Sequence, residues 1–297
     1  MNKIGFIGLG IMGRPMAQNM ISKGSQLLVF DIDQHAVSEA VKYGATAASL
    51  QEIGETCDVI FTILPNGSIV KDILFKQDGV ASTIKSGAIV VDMSSVTPVE
   101  SKFCSERLEE RSVHFLDAPV SGGEPKATDG TLSFMVGGKE NIFEQVKPLL
   151  MEMGASAVLV GDVGSGCITK LANQIIVNMN IAALGEAMVF ATKAGVDPEK
   201  VYMAIRGGLA GSAVMDAKAP MMMNRDFKPG GKISINHKDI KNVLATAHEM
   251  DIPVPMSAQL FEIMQGLKLR GLMEEDHSSL VKHFELLADV EVKKGGL

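Results

Sequence analysis

Apolar residues in the first half of the chain fall into short dense blocks, and polar turns rich in glycine, proline and serine separate them. Blocks at residues 3–7, 26–30, 58–64, 88–93, 114–120, 131–138 and 157–160 read as buried strands, each apolar on both faces. Helical patterns fill most of the intervals. Strands alternating with helices predict a mostly parallel sheet covered on both sides. From about residue 164 the pattern changes to helices alone. Residues 167–194 are apolar nearly all round, which predicts one long buried helix, with Gly195 as its C-cap. Asp197 and Pro198 then start another helix as N-cap and first position. Glycine-rich loops follow at 206–212 and 227–231. Lys238 and Asp239 head an amphipathic helix that reaches about residue 249, Pro253 and Pro255 break the chain, and helices near 257–270 and 278–287 finish it. The segment 293–296 is expected to fray.

Two domains follow from this pattern: an α/β domain with a mostly parallel, doubly wound sheet over 1–163, and an all-α domain over 164–297 that opens with the long helix 167–194. A chain of 297 residues is also long for one core. Composition narrows the function classes only a little. A net charge of -7 argues against nucleic acid as the main partner. Three cysteines, far apart in sequence, suggest neither a disulfide framework nor a metal cluster, and they suit a reducing cytoplasm. The six histidines show no metal-ligand spacing, so no metal is expected. Asn173, Gln174, Asn178 and Asn180 interrupt the long apolar helix, which argues against a membrane span.

The most specific local motif is Gly8-Leu9-Gly10-Ile11-Met12-Gly13, set between the first strand and the first helix. In that setting the first glycine makes the tight turn, the second lets backbone approach a pyrophosphate, and the third lets helix pack on strand. The helix N-terminus then faces the phosphates. Asp31 ends the second strand about 20 residues on, where an acid binds ribose hydroxyls; a turn-capping aspartate is the plainer alternative. With Asp33 nearby and no arginine in Asp31-Ile32-Asp33, a 2′-phosphate would be repelled. NAD is therefore expected over NADP, with NADP possible. The polar loops after the later strands lie where ligands bind in such sheets. Among them, Ser121-Gly122-Gly123 is either a carboxylate-binding turn, through its hydroxyl and N–H groups, or a plain glycine turn. Lys170 sits just inside the long apolar helix, with Asn173 and Gln174 three and four residues on. It either snorkels to water or has a chemical role.

Four stretches, GFIGLGIMGRPMAQNM, DAPVSGGEPKATDGTLSFMVGG, GSGCITKLANQ and HKDI, occur in one order along the chain. Together they resemble the β-hydroxyacid dehydrogenase family over essentially the whole length. The resemblance implies Lys170 as the catalytic residue and Asn173 as the group that holds substrate or lysine. Ser121, Gly122 and Gly123 would bind the substrate carboxylate. Gly8, Leu9, Gly10, Ile11, Met12, Gly13, Asp31, Leu64, Pro65 and Ser95 would line the cofactor, and Lys238 would serve cofactor and substrate. It also implies a Rossmann fold for the N-terminal domain, a long interdomain helix, and a homo-oligomer (dimer or tetramer) formed through the helical domain. The expected reaction is reversible hydride transfer between NAD(H) and a small aldehyde acid, with Lys170 giving or taking the proton. Another aldehyde specificity on the same scaffold, or a non-catalytic NAD(H)-binding module, are the competing readings.

Overall fold

The computed structural model describes residues 3–295, which fall into two compact units divided between Lys170 and Leu171. The first unit runs β1 (Ile4–Ile7), α1 (Gly13–Ser22), β2 (Leu27–Phe30), α2 (Gln34–Lys42), β3 (Thr46–Ala47), α3 (Leu50–Thr56), β4 (Val59–Thr62) and α4 (Gly67–Phe75). It continues with β5 (Ile89–Asp92), α5 (Pro98–Glu109), β6 (His114–Asp117), β7 (Val120–Ser121), α6 (Gly123–Thr128), β8 (Leu132–Gly137), α7 (Glu140–Leu150) and β9 (Gly154–Gly161). The strands form one sheet in the order β3-β2-β1-β4-β5-β6-β8-β7, with β9 also on β8. From β3 to β6 every neighbour is parallel. Strand β8 then runs antiparallel to β6 and β7.

Side chains alternate between two cores, as the pleat requires. Phe6, Val59, Phe61, Val91 and Leu116 pack on one face, and Ile7, Ile60, Val90 and Phe115 on the other. Each large side chain fully withdrawn from water contributes roughly 1.5–3 kcal/mol. This two-sided burial produces the unbroken apolar blocks of the sequence.

The block at 114–120, read as a single strand, is two. Pro119 has no N–H to give to a ladder. The parallel pairing of β6 therefore stops at Asp117, and the chain re-pairs antiparallel as β7. Glu124, Pro125 and Lys126 form the middle of α6; proline is tolerated in a first helical turn.

Helix α8 (Ser165–Lys193) carries the chain out of the first unit into the second. By length and composition it could cross a membrane, and half of its most apolar stretch is buried inside the protein. It is not buried all round as its composition suggests: Ile176 is 61% exposed and Phe190 76%. The second unit continues with α9 (Pro198–Ile205), α10 (Ala213–Asn224), α11 (Ile233–Glu249), α12 (Pro255–Leu269) and α13 (Val281–Ala288). Its core gathers Leu171, Ile181 and Met188 with Met222, Ile240, Leu260 and Met264. Asp197 does cap α9, accepting the Glu199 N–H at 3.0 Å, and Gly195 takes a left-handed φ of +81°. Helix α11 starts at Ile233, five residues before Lys238. No side chain caps its N-terminus, so the usual start signal is missing. The tail expected to fray is held as far as Lys294, Gly296 lying outside the described residues. Val292 is fully buried and gives its N–H to Glu285 at 2.8 Å, and Lys294 pairs with Glu199.

Candidate active site

Strand order reverses across β1, whose neighbours are β2 and β4. In such sheets the crevice outside the carboxyl ends at this point receives the ligand. The loop 8–13 leaves β1 there. Gly8 has φ +100°, and a Cβ on it would lie 2.2 Å from the Ile63 carbonyl oxygen. A Cβ on Gly13 would lie 1.9 Å from the Gly8 oxygen, so these two glycines answer to the protein's own packing. Gly10 differs: a Cβ there would meet nothing within 4 Å. The space it leaves is open on the ligand side, as close backbone approach to a pyrophosphate requires. Helix α1 has no side-chain N-cap and no acid in its first turn. Its positive end is left for an anion.

Asp31, at the end of β2, accepts the Leu9 N–H at 2.6 Å and the Asp33 N–H at 2.8 Å. It therefore ties the glycine loop to the end of β2 and forms the local turn, as the capping reading expects. Asp33 is the N-cap of α2, accepting from His35 N at 2.9 Å. These residues fit a dinucleotide: open backbone for phosphates, then a carboxylate for ribose.

The loops after β4 and β5 are joined by a network that sequence patterns did not reveal. Asp92 is 1% exposed and accepts from the Thr62 hydroxyl at 2.8 Å, from Ser94 N–H at 3.1 Å, and from the Ser94 hydroxyl. Ser94 Oγ in turn accepts the Leu64 N–H at 2.8 Å. Asp92 thereby fixes Leu64, beside Pro65, and the turn holding Ser95. Burial pushes its carboxyl up from 3.8 to about 6, with the Ser94 and Thr62 hydrogen bonds opposing. A carboxyl with a raised folded pKa gives stability that is complete below its unfolded pKa and is lost as pH rises through the folded value. Asp92→Asn keeps one side-chain oxygen for these three donors. Relative to that variant, wild-type stability should fall by on the order of 3 kcal/mol between about pH 4 and about pH 7. Urea unfolding of both proteins across that range reads this directly, and parallel curves would refute it.

On the next loop, Ser121 ends β7, and Gly122 and Gly123 have φ of +137° and +67°. The turn opens directly into α6, so its N–H groups stand at a short helix start. Lys170 is half-buried on the second turn of α8. In the second unit, the Asn173 amide donates to Gln174 Oε1 at 3.0 Å. Gln174 donates to Asp239 at 2.6 Å and to Asn236 at 3.3 Å. Asp239, 2% exposed at its side chain, pairs with Lys238 at 3.3 Å. Buried Gln174 thus joins the two residues expected to act from this unit, Asn173 and Lys238. Among the described residues no group of three His, Cys, Asp or Glu side chains is placed to hold a metal. All three cysteines are buried, and desolvation pushes Cys57 up to about 11 and Cys104 to about 12, so neither is a reactive thiolate.

Comparison with known proteins agrees with this geometry. Residues 3–163 match the family profile described as the NAD binding domain of 6-phosphogluconate dehydrogenase. Residues 164–284 match the one described as NAD-binding of NADP-dependent 3-hydroxyisobutyrate dehydrogenase. The chain is 42% identical over 288 residues to 2-hydroxy-3-oxopropionate reductase of Escherichia coli (strain K12), covering 97% of this chain and 98% of that protein. It is 38% identical to 2-(hydroxymethyl)glutarate dehydrogenase of Eubacterium barkeri, covering 99% and 98%. A solved structure of Mycobacterium tuberculosis 3-hydroxyisobutyrate dehydrogenase with L-serine superposes with a TM-score of 0.88 at 27% identity, covering 95% and 98%. The fold and site define a nicotinamide-dependent oxidoreductase acting on CH–OH groups, with NAD or NADP as cofactor. The chain belongs to the β-hydroxyacid dehydrogenase family.

Proposed function

We propose that this protein reduces tartronate semialdehyde (2-hydroxy-3-oxopropionate) reversibly to D-glycerate, with NADH as the preferred cofactor and Lys170 as the proton donor. The observation that carries the substrate reading is the 42% identity to 2-hydroxy-3-oxopropionate reductase along 97% of the chain. When bound, the reduced nicotinamide supplies the hydride. The protein's residues do the rest. Ser121, Gly122 and Gly123 offer a hydroxyl and N–H groups to the substrate carboxylate. The Lys170 ammonium stabilises negative charge growing on the carbonyl oxygen and gives it a proton; in reverse, the neutral amine takes the hydroxyl proton. Asp31 supports NADH, because a carboxylate placed for ribose hydroxyls repels a 2′-phosphate.

Initial rates of NADH oxidation with tartronate semialdehyde, methylmalonate semialdehyde and succinic semialdehyde, repeated with NADPH, test this reading. The highest kcat/KM is expected for tartronate semialdehyde with NADH. A clear preference for a branched or four-carbon aldehyde would replace the substrate, and a wide margin for NADPH would overturn the role given to Asp31.

A further inference from the structure

Asp117 ends β6 as Asp92 ends β5, and the two are register partners in the sheet. Its carboxylate is fully buried. One oxygen accepts the Gly164 N–H at 2.7 Å and the other the Cys167 N–H at 2.8 Å. Gly164 immediately precedes α8, and Cys167 lies in its first turn. A strand residue 47 positions earlier thus does what an N-cap side chain does, and does it twice.

Two glycines make room for it. A Cβ on Gly137 would lie 2.4 Å from Asp117 Oδ1. A Cβ on Gly166 would lie 2.6 Å from the Asp117 carbonyl oxygen and 2.9 Å from Oδ2. The first turn of α8 therefore cannot rotate or slide along the end of β6 without colliding with the carboxylate or losing its bonds. Lys170 follows Cys167 by three residues, about one turn along, so fixing Cys167 fixes where Lys170 starts from. In the other direction, Ala118, Pro119 and Val120 lead from Asp117 straight to Ser121, Gly122 and Gly123. Desolvation raises the Asp117 pKa, a cost that a neutral serine or asparagine cap would avoid.

We propose that Asp117 is a positioning residue, clamping the first turn of α8 so that Lys170 is held at a set place relative to the 121–123 turn. The proposal rests on Lys170 being the proton donor. Asp117→Asn tests it: the shape is kept, but an amide NH₂ must face one of the two backbone N–H groups. Wild type, Asp117→Asn, Lys170→Ala and the double variant should be compared for kcat, KM, NADH dissociation constant and melting temperature.

Asp117→Asn is expected to lower kcat by about tenfold to a hundredfold, with NADH affinity within about twofold of wild type. In the Lys170→Ala background the same change should add little, because the group it positions is gone. A folded Asp117→Asn protein with wild-type kcat, or an equal fold-loss in both backgrounds, would overturn the proposal. The Lys170→Ala single variant reads the proton-donor assignment by itself, so failure of that assignment shows separately. If Asp117→Asn does not fold, Asp117→Glu, which keeps both oxygens but displaces them by one methylene, should show the same pattern. Wild-type kcat in Asp117→Glu would overturn the proposal equally.

Discussion

Lys170→Ala should lower kcat by about 10²–10⁴-fold, the usual contribution of a positioned general acid. The NADH dissociation constant should stay within about twofold of wild type, because the groups that fit the dinucleotide lie at the ends of β1, β2, β4 and β5. The separation of effects is the informative part. A lysine that merely snorkels from a helix could be truncated with little change in either quantity. One that bound cofactor would raise the dissociation constant. A loss confined to kcat is the signature of a group that acts as charge develops on the carbonyl oxygen. Lys170→Arg is expected to recover only a small part of the rate, since a guanidinium keeps the positive charge but does not release a proton near neutral pH. Near-normal kcat in Lys170→Ala would remove the lysine from the chemistry.

The second large effect is a contrast between two glycines three residues apart. Gly13→Ala places a methyl group 1.9 Å from the Gly8 carbonyl oxygen, a backbone atom that cannot swing aside. It should cost about 3 kcal/mol, or about 6–12 °C in melting temperature. Gly10→Ala meets nothing within 4 Å, so the free protein should melt within about 2 °C of wild type. Any penalty then falls on the ligand. NADH binding should weaken by about tenfold or more, which is about 1.4 kcal/mol. Thermal melts with and without NADH measure both effects. A Gly10→Ala variant that binds NADH normally would mean that backbone approach at this position is not used.

Much of the site was readable from sequence because its parts are local. The glycine loop and Asp31 stand at fixed offsets from apolar blocks, and the structure adds the Leu9 and Asp33 N–H groups that Asp31 accepts. What escaped were contacts between residues distant in sequence. Asp92 and Asp117 each end a short strand, IVVD and HFLD, and an acid ending two adjacent strands was a usable signal. Which N–H groups they hold depends on strand order, and no single segment carries that information. Gln174 lay beside Asn173 in plain view. Its partners Asn236 and Asp239 are more than sixty residues away, on a helix whose uncapped start hid its first turn. Helix α8 taught the opposite lesson. Apolar residues all round do not show which face the chain itself covers, and Ile176 and Phe190 turned out to be exposed.

In the proposed reaction, bound nicotinamide and Lys170 act on the carbonyl of a three-carbon aldehyde acid. The most direct test of this reaction follows NADH absorbance while wild-type protein turns over tartronate semialdehyde, with the product identified on a chiral column. One NADH consumed for each D-glycerate formed, over many turnovers, is the predicted result. NADH that binds tightly but is not consumed with this aldehyde would contradict it.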